Sequence, residues 1–149
     1  MGLDHALAAE RAYHELGEAR ELGRVWETMG RLELRRGRAE PARLRLEAAA
    51  EVQTQLGDLT GLASTTEALS EALALCGRDA EAITLLRDSI VFNRDKGSPF
   101  GLTNNRRAYT ALAGRLAGQP QHAAGLQEAA ILLTAGEREL GVQAVGSAA

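Results

Sequence analysis

The stretch LGDLTGLA, residues Leu56–Ala63, returns forty residues later as KGSPFGLT, Lys96–Thr103, with both glycines and the leucine in place. Glycines that read as helix breaks keep the same beat: Gly17, Gly37, Gly57, Gly77, Gly97, Gly118 and Gly136 lie about twenty residues apart. A glycine provides the left-handed C-terminal cap that lets a helix stop and turn. Between these marks the chain shows the 3.6-residue period of amphipathic helices. Leu62, Thr66, Leu69, Leu73 and Cys76 share one face, while Ser64, Glu67 and Glu71 share another. The chain therefore reads as helix, tight turn, helix, in pairs with a period of about forty residues. Such self-similarity constrains the fold more than any local motif does.

Composition points the same way. With three prolines and 3% aromatic residues, and with Ala, Leu, Glu and Arg abundant, the 149 residues are rich in helix formers and poor in strand formers. That predicts an all-α fold, in one domain large enough to bury a core. Apolar runs such as LEAAAEV and EAAILLTA are too short for a membrane span, and MGLDHALAAE lacks the layout of a signal peptide. Ala6 stands where a myristoylation motif needs Ser or Thr. The lone cysteine, Cys76, fits a reducing compartment, so a cytoplasmic location is expected.

The pairs superpose at Leu22, Leu62 and Leu102, and at Gly61, Gly101 and Gly141. In the second half of each unit, Ala42, Ala82 and Ala123 stand five residues beyond the turn glycine. Small residues recur where helices must approach closely: Gly30, Ser70 and Ala111 on first helices, Ala49, Ser89 and Ala130 on second helices. Trp26–Ala42, WETMGRLELRRGRAEPA, resembles a tetratricopeptide (TPR) repeat through Trp26, Met29, Gly30, Gly37 and Ala42, with Glu33 where Tyr is usual. Unit two matches at Leu69, Ser70, Leu73, Gly77, Ala82 and Leu86. Unit three matches at Ala111, Gly118, Ala123 and Ala130 after a one-residue slip between Leu102 and Gly118. The long period resembles variants found in bacterial regulators; a HEAT-like repeat is the structural rival.

The resemblance implies a right-handed α-solenoid of antiparallel helix pairs, about seven helices in all. Expected are an orphan helix in 1–16, units at 17–56, 57–96 and 97–136, and the start of a truncated unit or tail in 137–149. The expected helices are Leu3–Leu16, Glu18–Arg36, Ala39–Leu56, Leu59–Cys76, Asp79–Lys96, Pro99–Ala117 and Pro120–Ala135. Stacking is expected to bury Leu22, Trp26, Met29, Leu46, Leu62, Leu69, Leu73, Leu86, Ile90 and Leu102. Incomplete end units suggest a fragment, or a chain that stacks through its ends into a homo-oligomer.

No catalytic constellation is visible. The three histidines, His5, His14 and His122, form no metal-binding spacing, and no nucleophile elbow, phosphate loop or dinucleotide fingerprint occurs. Cys76 reads as a small hydrophobe beside Gly77. The expectation is a non-enzymatic chain with no cofactor and no metal. Charge is uneven: Arg24, Arg31, Arg35, Arg36, Arg38, Arg43 and Arg45 crowd the first unit, and the balance turns acidic from Glu47 to Asp95. A net charge of −3 and the lack of aromatic residues among the arginines argue against nucleic acid, and no membrane partner is expected.

The resemblance further implies that first helices line a concave groove for a protein or peptide partner. By position, the groove would present Arg24, Glu27, Thr28 and Arg31 from unit one, then Ser64, Glu67 and Glu71 from unit two. Unit three would add Asn104 or Asn105, with Arg107 or Tyr109. Asparagine can hydrogen-bond a peptide backbone as donor and acceptor, and arginine can pair a carboxylate bidentately; the first turn of a helix is the rival role for both asparagines. The alternative function is a ligand-sensing TPR segment of a larger transcriptional or signalling regulator.

Overall fold

The computed structural model describes residues 2–142, and of residues 2–5 and Tyr13 the backbone alone. The described residues form six helices: α1 (Gly2–Arg35), α2 (Ala39–Leu56), α3 (Leu59–Leu75), α4 (Asp79–Asp95), α5 (Pro99–Arg115) and α6 (Pro120–Leu140). His5 and the tail beyond Val142 lie outside the described side chains and residues. Connections of two to four residues join the helices, so each reverses onto the one before it. Gly23 of α1 approaches Val52 and Gln53, and Gly30 approaches Leu46, as antiparallel packing requires. Beyond chain neighbours, α1 touches α3, α3 touches α5 and α4 touches α6.

The repeated motif resolves into one turn device used twice. Gly57 and Gly97 adopt positive φ (66° and 65°) after α2 and α4, where a side chain would be strained. The next amides, of Asp58 and Ser98, donate back to the carbonyls of Gln53 and Asn93, each at 2.9 Å. Asp58 and Ser98 then cap the following helix by accepting from the amides of Gly61 and Gly101, at 3.1 and 3.0 Å. At Gly61 and Gly101 a Cβ would strike the packed side chains of Gln53 and Asn93, within 2.9 and 2.2 Å. Those two glycines leave room for a buried amide to cross the turn.

Two expected breaks are absent. Gly17 lies inside α1, and Gly136 lies inside α6 with its Cα against Leu102 and Arg94. The first two expected helices are therefore one, giving six rather than seven. The last helix ends instead at Gly141, where φ is 67° and the amide of Val142 donates to the carbonyl of Glu137 at 2.8 Å. Gly141 thus corresponds to Gly57 and Gly97, not to Gly61 and Gly101. An open helical interior tolerates glycine at a modest cost, so spacing alone does not mark a stop.

The core runs through α2 to α6, with Leu34 of α1 packed against it. Leu46, Leu86, Ile90, Leu102 and Leu133 are fully buried, and Leu69 and Leu73 nearly so. Trp26, Met29 and Leu62 are half-buried. Leu22 is 42% exposed, against expectation, because α1 turns that face away from α2. Gly30, Ser70, Ala42, Ala49 and Ala82 are buried at close approaches as expected, whereas Ala111 and Ala123 are exposed. The buried residues of α6 begin only at Leu126, which leaves Ala123 outside the packed face. No described helix is long and apolar enough to cross a membrane.

Candidate functional site

On the first helix, Glu27 and Arg31 are one turn apart, and α3 brings Ser64 and Thr65 against them. Ser64 Oγ and Thr65 Oγ1 donate to the two Glu27 oxygens at 2.8 and 2.9 Å. Arg31 donates to Ser64 Oγ at 2.9 Å and to the Ser64 carbonyl at 2.7 Å, and pairs with Glu27 at 3.3 Å. With its amide nitrogen turned toward α3, Gln53 donates to Thr65 Oγ1 at 2.7 Å and to the Gly61 carbonyl at 3.2 Å. Glu27, Ser64 and Thr65 are each bonded within this knot. Glu27, Arg31 and Ser64, expected to meet a ligand, instead bind α1 to α3. Arg24 and Thr28 are exposed on α1.

The same arrangement recurs one unit later. Asn93 donates to Asn105 Oδ1 at 2.8 Å, and Asn105 donates to Ser89 Oγ at 2.9 Å. Asn105 is 2% exposed, so it cannot meet a ligand. Asn104 is 3% exposed, and its amide nitrogen has no partner. Its oxygen accepts from Arg107 at 3.3 Å, which tethers that arginine from below. Tyr109 packs against the core under the Arg106 guanidinium, which lies 5.5 Å from its ring centre. Arg106 is itself paired with buried Glu137.

The remaining expected residues do converge. Glu67 and Glu71 of α3 face Arg107 of α5 across a cleft of about 230 Å³ that also takes in Arg115. Its floor is small or apolar: Ser70, Ala74, Ala108, Ala111 and Leu112. Neither glutamate has an ion-pair partner within 4 Å among the described residues, and the same holds for both arginines. Four charged groups thus ring a concave surface with their hydrogen-bonding capacity directed at solvent. Sequence reading missed Arg115, although it lies two turns beyond Arg107 on the same helical face.

Several ionisable groups elsewhere are paired within the chain. Arg43 bridges Glu40 and Glu47 on α2, holding the Glu40 carboxyl down at about 2. Cys76 Sγ donates to Glu40 at 3.3 Å, and burial, with that carboxylate, pushes the thiol above its ordinary range. A raised thiol is a poor nucleophile at neutral pH. Arg94 pairs with Glu139, which lowers the carboxyl. No group of three His, Cys, Asp or Glu side chains among the described residues is placed to hold a metal ion. The chain matches no known family model, curated protein or solved structure.

Proposed function

We propose that this chain is a non-enzymatic protein-interaction module, a TPR-like right-handed stack of helix pairs whose α3–α5 cleft receives an extended segment of a partner protein. One observation carries the reading: Glu67, Glu71, Arg107 and Arg115 surround the cleft without pairing to one another, over a floor of small side chains. Glu27 and Arg31 are tied to neighbours, whereas Glu67, Glu71 and Arg115 make no side-chain hydrogen bond among the described residues and Arg107 makes one, to Asn104 at 3.3 Å. A peptide backbone fits against Ser70, Ala74, Ala108 and Ala111 because none of them projects far. Skip contacts of α1 with α3 and of α3 with α5 support the stacked arrangement, since first helices then line one surface.

The test is a peptide array probed with the purified chain, with Glu71→Ala, Arg107→Ala and Arg115→Ala combined in a second sample of equal helicity. All three side chains are exposed, so the variant is expected to fold. Losing a charge-assisted hydrogen bond costs about 1.5–3 kcal/mol, so selected peptides are expected to bind at least about tenfold more weakly to the variant. Equal binding by both proteins would remove the cleft from the function.

A further inference from the structure

Helix α1 meets its neighbours on one side and carries an apolar stripe on the other. Gly23, Glu27, Gly30 and Leu34 face α2 and α3. On the opposite side Leu22, Val25, Met29 and Leu32 recur at alternating steps of three and four residues. Leu22, Val25 and Leu32 are 42%, 43% and 41% exposed, and Met29 between them is half-buried. The inward contacts already dock α1 on the rest of the fold, so an apolar stripe on its other side calls for a second partner. The three-four spacing is that of a coiled-coil seam.

Charge decides what covers the seam. The seam's next position toward the N-terminus is Glu18, and toward the C-terminus Arg36; both are exposed. Arg36 has only a 3.8 Å surface pair with Glu33 to give up. The N-terminal half of α1 carries Glu10, Glu15 and Glu18 against Arg11, while its C-terminal end and turn carry Arg35, Arg36 and Arg38. The stripe is therefore acidic at one end, basic at the other and apolar between, which is complementary to itself reversed.

We infer that a second copy of this chain covers the stripe, with the two α1 helices antiparallel about a two-fold axis between Val25 and Met29. In that register Leu22 of one copy packs on Leu32 of the other, and Val25 packs on Met29. Glu18 then meets Arg36 at both ends. A parallel pairing would set Glu18 against Glu18 and lay the acidic arms side by side. An antiparallel contact uses the same patch on both copies and closes at a dimer. It also leaves the α3–α5 cleft open in each copy.

Sedimentation of the full chain from roughly 1 to 500 µM tests this, a range that spans the weak association expected of a short seam. A monomer–dimer equilibrium is expected. Val25→Asp with Leu32→Asp, both at exposed positions, should keep the helicity and weaken the dimer at least about tenfold. Glu18→Arg or Arg36→Glu alone should weaken it about fivefold, and the two together should restore it to within about twofold. A monomer throughout, a dimer indifferent to the Val25 and Leu32 changes, a dimer strengthened by Glu18→Arg, or a double exchange that fails to restore would each overturn the proposal.

Discussion

Asn104 and Asn105 are neighbours on α5 with opposite accounts. Asn105 joins Asn93 and Ser89 in a buried chain of hydrogen bonds. Removing its amide leaves the Asn93 donor with only a 3.4 Å contact to Ser89. Asn105→Ala is therefore expected to destabilise the fold by about 1–3 kcal/mol, the penalty for an orphaned buried polar group. Asn104 already holds such an orphan in its amide nitrogen. Asn104→Leu, similar in volume, removes that donor and is expected to change stability by less than about 1 kcal/mol. Urea unfolding of both variants checks this as a midpoint shift at constant slope. Equal losses would mean that burial of volume, and not the hydrogen-bond network, dominates at this turn.

At the level of elements, α1 makes the sharpest demand. Gly17 sits inside it, with nothing within 4 Å of where a Cβ would stand. In a continuous helix Gly17→Ala is expected to raise stability and helicity by about 0.5–1 kcal/mol. If Gly17 instead capped one helix in the left-handed conformation, the same change would lower both, so a thermal melt with circular dichroism separates the two cases. This position also shows what the sequence can reveal. The forty-residue period located α2 to α5 because each turn between them holds a left-handed glycine, and at the α2–α3 and α4–α5 turns a side-chain cap and a buried amide reinforce it. Gly17 and Gly136 keep the beat without those companions, and packing carries both helices through them. That Glu67, Glu71 and Arg107 line one cleft was legible because helical period fixes which side chains share a face. That Glu27, Arg31, Ser64 and Asn105 find partners within the chain was not legible, because position along a helix does not reveal what a neighbouring helix supplies. The outward stripe of Leu22, Val25, Met29 and Leu32 escaped for a related reason: an apolar residue on a helix reads as core until the neighbour that would bury it is known to be elsewhere.

Across the whole molecule, burial is graded. The residues of α3 are covered by α1, α2, α4 and α5, and Ala63, Thr65, Ala68, Leu69, Ala72 and Leu73 are all buried. By contrast every described side chain from Ala6 to Glu18 is exposed, so the first half of α1 is helix without tertiary support. A helical arm of that length is marginal in water, because the cost of nucleation is not offset by burial. Local opening should therefore be cheapest there and approach the global unfolding free energy in α3. Hydrogen exchange followed by mass spectrometry is expected to show the amides of residues 6–18 exchanging at least about a hundredfold faster than those of residues 63–73 in dilute protein. Raising the concentration should slow exchange from residue 18 onward as the α1 seam is covered, and the Val25→Asp, Leu32→Asp variant should show no such change. Uniform protection of α1 and α3 in dilute protein would mean that the arm is held by contacts within one copy. The gradient along α1 would then vanish, and with it the reason a reversed second copy stabilises that helix more than any other part of the stack.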